Sequence, residues 1–206
     1  DFLRTARSSP TDRREGADLD SFAAINYTGG TTGSPKGCIH TQRDMLFTGA
    51  AYLSVAMQGD DNMLSLTYFP EFWIAGQNSA LIFPVIFGRP CVLMTRWDPV
   101  GFLEMVSKYR VTHAALLVDN VLELMDHPRF SEFNLSSLRR VGVVSFVKKL
   151  NIDYRERWRA MAGQTLVETS WGMTETHTSN TFTTGMQDDD FDLKQQPVFV
   201  GLPVPG

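Results

Sequence analysis

Only two cysteines, Cys38 and Cys91, occur in the 206 residues. So few thiols, set so far apart, exclude a disulfide-stapled secreted scaffold and suit a reducing cytoplasm. Long apolar runs are missing too. The longest covers about residues 80–88, is broken by Pro84, and falls well short of the ~20 residues of a membrane-crossing helix. No run of lysine or arginine exceeds two, and the formal net charge is −4. A nucleic-acid partner, which needs a basic face, is therefore not expected. Residues 4–20 are polar and charged, with no signal-peptide pattern. Neither a GxSxG nucleophile elbow nor a Cys/His set at metal spacing is present. Cys38 and His40 lack a second pair, and His113, His127 and His177 read as isolated structural or exposed residues.

With 43% hydrophobic and 20% charged residues, the chain has the make-up of a soluble globular domain with a sizeable core. Residues 1–20 read as a flexible lead-in, and 21–206 as one α/β unit. Both ends look cut, so the expectation is a piece of a longer protein whose C-terminal subdomains are absent.

Short apolar runs at 22–27, 63–67, 90–95, 114–117, 140–144 and 165–168 alternate with helical patterns. A helix over 41–57 opens with Thr41 and Asp44 three residues on, and places Leu46, Ala50, Leu53 and Met57 on one face. Residues 74–87 are apolar nearly all round, as in a buried helix. Asp98 and Pro99 start another, with Phe102, Met105, Val106 and Tyr109 on its face. Leu150, Tyr154, Trp158 and Met161 mark a fourth. This alternation predicts a largely parallel β-sheet covered by helices. Ligands of such sheets bind beyond the carboxyl ends of the strands, which directs attention to the segments after Tyr27, Thr67 and Glu168. The run Asp188–Asp190 reads as a solvated loop.

The first of those segments is glycine-rich. Gly29, Gly30 and Gly33 allow tight turns and close backbone approach. Thr28, Thr31, Thr32 and Ser34 supply hydroxyls, Lys36 supplies a positive charge, and Pro35 and Gly37 complete the stretch. Hydroxyls, backbone N–H groups and an ammonium make a phosphate cradle. Pro35 before Lys36 breaks the Walker A pattern, and the spacing is not GxGxxG. From residues alone the stretch is either that cradle or a mobile surface loop.

A second cluster, Trp171-Gly172-Met173-Thr174-Glu175, offers a flat aromatic, a hydroxyl and a carboxylate. An indole can stack on a base, and a carboxylate can hold Mg²⁺. The competing reading is a strand end with a core tryptophan and a solvated glutamate. A third stretch, residues 70–76, carries Phe72, Trp73 and Gly76. Trp73 there is either a large apolar wall or a core residue.

Together these stretches resemble the adenylate-forming superfamily of acyl-CoA synthetases, luciferases and peptide-synthetase adenylation domains. Residues 27–37 resemble its Tyr-Thr-Ser-Gly-Thr-Thr-Gly-x-Pro-Lys-Gly loop, with Gly29 replacing the usual Ser as in long-chain fatty acyl-CoA ligases. Residues 171–175 resemble its Tyr-Gly-x-Thr-Glu element, with Trp171 for Tyr. Residues 70–76 resemble Pro-x-Phe-His-x-x-Gly, with Trp73 for His, and the end of the chain resembles the Gly-x-Pro-x-Pro-Gly bridge to a further subdomain. One departure stands out. Residues 145–149, Ser-Phe-Val-Lys-Lys, replace a glycine-rich turn that borders adenine in the family.

The resemblance implies an acyl-CoA synthetase-like fold and ATP-dependent activation of a carboxylic acid, then transfer to coenzyme A. It implies that Thr28, Gly29, Gly30, Thr31, Thr32, Gly33, Ser34 and Lys36 grip the ATP phosphates. Trp171 would lie against adenine, Thr174 would contact the α-phosphate and Glu175 would hold Mg²⁺. Lys36, Thr174 and Glu175 would serve catalysis, and Phe72, Trp73 and Gly76 would border the acyl pocket. Gly29 and Trp73 tilt the expected acid towards a fatty one. Two alternatives stay open: a non-catalytic nucleotide-binding module and a peptide-synthetase-type adenylation domain.

Overall fold

The structure is a computed structural model that describes residues 18–29, 33–56, 60–169, 171–195 and 199–205. Five parallel strands form its centre: β3 (Ser65–Thr67), β4 (Cys91–Leu93), β5 (His113–Leu117), β6 (Arg140–Val144) and β7 (Leu166–Glu168). Their order is β4-β3-β5-β6-β7, every pairing parallel. The expected fold, a largely parallel sheet covered by helices, is the one observed, and each of the six apolar runs overlaps a strand.

Because side chains alternate along a strand, the two sheet faces differ. Leu66, Leu116, Val141, Val143 and Leu166 point to one face, each no more than 1% exposed. Against them lie Phe102, Leu103 and Val106 of α4 (Pro99–Tyr109), Val121 and Leu124 of α5 (Val118–Asp126), and Trp158 of α6 (Ile152–Ala162). The caps follow local chemistry. Asp98 accepts from the Gly101 N–H at 2.5 Å with Pro99 in the first turn, and Asn151 accepts from the Tyr154 N–H at 2.9 Å. Gly163 then ends α6 at φ 83°.

The other face is covered by a helical stretch in three parts, α2 (Ile74–Gln77), a π-helical turn (Asn78–Ile82) and α3 (Phe83–Phe87), against which α1 (Gln42–Ala56) packs. Thr41 and Asp44 form the expected reciprocal cap at the start of α1. The Asp44 carboxylate accepts from the Thr41 N–H at 2.7 Å, and the Thr41 hydroxyl accepts from the Asp44 N–H. The expected buried face of α1 is not the one used. Leu46, Ala50 and Leu53 are exposed, whereas Thr48, Ala51 and Tyr52 are buried; Met57 lies outside the described residues. Tyr52 stacks on Phe83 with ring centroids 4.8 Å apart. The stretch 74–87 is likewise not buried all round, since Val85 is 79% exposed. Its π turn directly precedes the segment with Pro84, which has no N–H for the helical ladder.

A second correction concerns the glycine-rich stretch. The strand before it does not belong to the parallel sheet. β1 (Phe22–Tyr27) pairs antiparallel with β2 (Gly37–Thr41), and the stretch joins this separate hairpin. The period-2 alternation of residues 37–41 was the available signal, but its polarity is inverted: His40 is buried and Ile39 is 70% exposed. A last short pair joins β8 (Thr181–Phe182) to β9 (Leu202–Pro203), and α7 (Phe191–Lys194) lies between them in sequence.

Candidate active site

A cavity of about 570 Å³ opens at the carboxyl ends of the parallel strands, bordered there by Val144, Ser145, Glu168 and Thr169. Trp73 and Phe69 form one aromatic wall, and Trp171, with Gly172, Thr178 and Ser179, another. Trp171 is 46% exposed and presents an indole edge of the mouth rather than a core residue. Of the three residues placed on the acyl side, only Trp73 borders the cavity. Phe72, in the turn before α2, is 87% exposed. Gly76 is buried, and an added Cβ would meet the Pro70 carbonyl oxygen at 1.9 Å. Its role is therefore to let the helix start pack on the 69–70 backbone.

The glycine-rich stretch is closed at its neck. The Thr28 N–H donates to the Lys36 carbonyl at 2.9 Å. Thr28 is half-buried, while Gly29, Gly33, Ser34 and Lys36 are exposed; Gly30, Thr31 and Thr32 lie outside the described residues. The second motif forms a single 3₁₀ turn, Thr174–Thr176, beside β2, with Thr174 half-buried and the Glu175 carboxylate exposed. The strand that follows the glycine-rich stretch therefore lies beside the second motif, some 140 residues on.

A group of buried polar residues sits at that junction. The His40 and His177 rings meet edge to face, 4.8 Å between centroids, both at most 2% exposed. His177, read from the sequence as isolated and structural or exposed, is therefore buried against a second histidine. Burial foremost, helped by the neighbouring His40, pushes the His177 imidazole down to about 4, so it is neutral near pH 7. Asn78, turned inward by the π segment, donates its amide to the His177 carbonyl at 3.0 Å. His177, Thr178 and Ser179 all adopt left-handed φ values of 55–58°. Such backbone strain costs about 1–3 kcal/mol per residue and persists where surroundings enforce it. Gly172 shows the enforcement, since a Cβ there would meet the Ser179 nitrogen at 2.6 Å.

The glycine-free turn at residues 145–149 is built without strain. None of its residues has positive φ. Glu168, at the end of β7, accepts from the Ser145 N–H at 2.9 Å and from its hydroxyl. The Ser145 hydroxyl oxygen in turn accepts from the Leu150 N–H at 2.9 Å, Asp119 accepts from the Lys148 N–H, and the Lys149 ammonium donates to the Ser145 carbonyl. Side chains supply what a glycine turn obtains from backbone freedom. Burial pushes the Glu168 carboxyl above the usual range, opposed by the Ser145 hydrogen bonds.

Sequence reasoning also missed Arg155. It is fully buried and bidentate to Asp192 at 2.7 and 2.6 Å, with Asp190 at 2.9 Å and the Leu166 carbonyl at 3.0 Å. The acidic run is therefore not simply solvated, because its last member helps hold the segment that carries Leu193 to the cavity wall. An arginine within a predicted helix facing a distant acidic cluster gives no local signal of pairing.

A family model described as "AMP-binding enzyme" matches residues 3–206, and the chain belongs to this family, within the adenylate-forming superfamily. 4-Coumarate–CoA ligase 2 of Nicotiana tabacum is 30% identical over 164 residues, covering 76% of this chain and 29% of that protein. A long-chain-fatty-acid–CoA ligase of Bacillus subtilis (strain 168) is 26% identical over 157 residues, covering 75% and 27%. The chain thus spans less than a third of the length of these relatives. In fold it is similar to the N-terminal domain of FACL13 from Mycobacterium tuberculosis, with a TM-score of 0.75, 19% identity, and coverage of 93% of this chain and 48% of that one. It is also similar to O-succinylbenzoate coenzyme A synthetase of Bacillus subtilis, solved with ATP and magnesium ion, with a TM-score of 0.74, 24% identity, and coverage of 91% and 36%. No helix among the described residues is long and apolar enough to cross a membrane.

Proposed function

We propose that the intact protein activates an apolar, fatty carboxylic acid with ATP and passes the acyl group to coenzyme A. Residues 21–206 would form its ATP- and acid-binding part. The observation that carries this reading is the meeting of the hairpin holding Lys36 with the turn holding Glu175, beside a cavity at the strand carboxyl ends.

In the first half-reaction a carboxylate oxygen of the acid bonds to the α-phosphorus of ATP. The bond to the bridging oxygen of pyrophosphate breaks, leaving an acyl-adenylate. In the second, a thiol attacks the acyl carbon, AMP departs, and the thiol proton goes to solvent. The first step brings together two anions, so the protein contributes chiefly positioning and charge neutralisation. Thr28, Gly29, Gly30, Thr31, Thr32, Gly33, Ser34 and Lys36 would hold the phosphates, and Thr174 the α-phosphate. The exposed Trp171 indole suits stacking on adenine. Glu175 fits a magnesium ion of the nucleotide kind, held through one carboxylate and the substrate's phosphates, because its carboxylate is exposed and in no ion pair among the described residues. Such an ion would neutralise triphosphate charge.

Support for an apolar acid comes from Trp73 and Phe69 in the wall and from a second cavity of about 80 Å³ adjoining the first. Tyr52, Ser79, Phe83, Ala115 and Thr169 belong to both walls. The relatives named above include ligases of coumarate and of long-chain fatty acids, and a second cavity adjoining the first favours the flexible acid.

The test is pyrophosphate release by the intact protein across acids from acetate to hexadecanoate, coumarate and the amino acids. Lys36→Ala should lower kcat/KM roughly 10- to 150-fold, the value of one charge-assisted contact, and Glu175→Gln should lower it further. ATP binding without pyrophosphate release would favour a non-catalytic nucleotide module. Release with amino acids alone would favour a peptide-synthetase-type domain.

A further inference from the structure

The 80 Å³ cavity lies between the sheet and the helical stretch 74–87. Its floor is made by small or polar residues on the sheet face opposite the core, with Thr67, Ala115 and Gly142 in the middle and His113 and Arg140 at the inner end. His113 and Arg140 are register partners at the amino-terminal ends of β5 and β6. From Val144, at the mouth of the large cavity, four residues of β6 lead back to Arg140, about 13 Å at ~3.3 Å per residue. That is the extended length of a medium-chain acid.

Arg140 is unusual among the arginines of the sheet region. Arg139 pairs with Asp60 at 2.9 Å, Arg89 with Asp61 at 2.9 Å, and Arg155 with Asp190 and Asp192. Arg140 is half-buried and donates to the Thr184 hydroxyl at 2.8 Å, but among the described residues no carboxylate lies within 4.0 Å of it. A half-buried guanidinium whose partner is a neutral hydroxyl keeps donors for an anion, and its planar fork suits a carboxylate. His113 does not compete for one, since its ring is buried and bonded to the Thr112 hydroxyl at 2.9 Å. Asp60, the nearest acid to that ring at 3.6 Å, is already engaged by Arg139.

We propose that Arg140 receives an anionic group at the far end of the acid, so that the preferred substrates are medium-chain α,ω-dicarboxylic acids. Ala115 and Gly142 of the floor, with Phe83 above them, would border the methylene body, and the second carboxylate would meet Arg140. This rests on the acid-activating reading above, narrows its fatty acid to one with an apolar body and a second carboxylate, and makes Arg140 a specificity residue, remote from the reacting carboxylate.

The experiment compares decanoate with decanedioate in pyrophosphate release by the intact protein and by Arg140→Leu and Arg140→Lys, with hexadecanoate as a control. The expected result is a kcat/KM for decanedioate at least about tenfold above that for decanoate. Arg140→Leu should lower the diacid value roughly 10- to 150-fold, mainly through KM, while decanoate holds or improves. Arg140→Lys should keep part of the preference, because it keeps the charge and loses the fork. Equal losses for both acids in Arg140→Leu, or a wild-type preference for decanoate, would overturn the inference while leaving acid activation standing. No release with any acid would overturn acid activation itself, and the inference with it.

Discussion

The two faces of the central sheet are built from neighbouring residues with opposite purposes. Leu116 is fully buried and packs among the side chains of α4 and α5; Ala115, one residue earlier, borders both cavities. The same alternation sets Val141 and Val143 against Arg140 and Gly142. One face is filled to the density that large apolar side chains allow. The other carries serine, threonine, alanine and glycine, and the helices above it cannot close the gap. The lesson is that stability is concentrated on the face with α4, α5 and α6, which frees the opposite face to hold space for a ligand.

Four changes would break or sharpen that contrast. The largest effect is expected at the rim of the filled face, where Arg155→Leu leaves the buried Asp192 carboxylate without its bidentate partner. The loss should be about 3–5 kcal/mol, read as the shift in the denaturant midpoint. Leu116→Ala should cost about 2–5 kcal/mol in the same measurement. Ala115→Leu, on the open face, should change stability by less than about 1.5 kcal/mol, since it grows into existing space. It should nonetheless lower pyrophosphate release with long acids far more than with acetate. A stability loss at Ala115 equal to that at Leu116 would mean the two faces are packed alike.

The smallest effect is a pH dependence from the open face. Burial holds the His113 imidazole down to about 4, with Arg140 and Arg139 adding to the depression and Asp60 opposing it. Its folded value lies below its unfolded value of about 6.5, so the neutral ring stabilises the fold fully above that pH. The stabilisation is lost as pH falls from about 6.5 towards 4. In His113→Gln, stability measured by denaturant titration from pH 7 to 4.5 should fall less steeply than in the wild type. An unchanged slope would place the titrating proton elsewhere.

Much of this was legible in the sequence because it is local. Strand and helix periods, the Asp98-Pro99 start, the Thr41–Asp44 cap and the two motifs each depend on residues close in sequence, and the alternation of elements then favours a parallel sheet. What only the tertiary structure decided depends on contacts distant in the chain. The inward face of α1 is chosen by the helical stretch 78–87 and the β1–β2 hairpin, which select Thr48, Ala51 and Tyr52 over the more apolar Leu46 and Leu53. The hairpin that carries the glycine-rich stretch is set by β1–β2 pairing, with its histidine inward against a histidine 137 residues away (177 minus 40). The turn at 145–149 is shaped by Glu168 from the next strand, and Arg155 finds its carboxylates more than thirty residues on. Sequence patterns report which face of an element is apolar, but burial is settled by the partner surface, and buried polar groups are settled by which donors and acceptors the folded chain brings within reach.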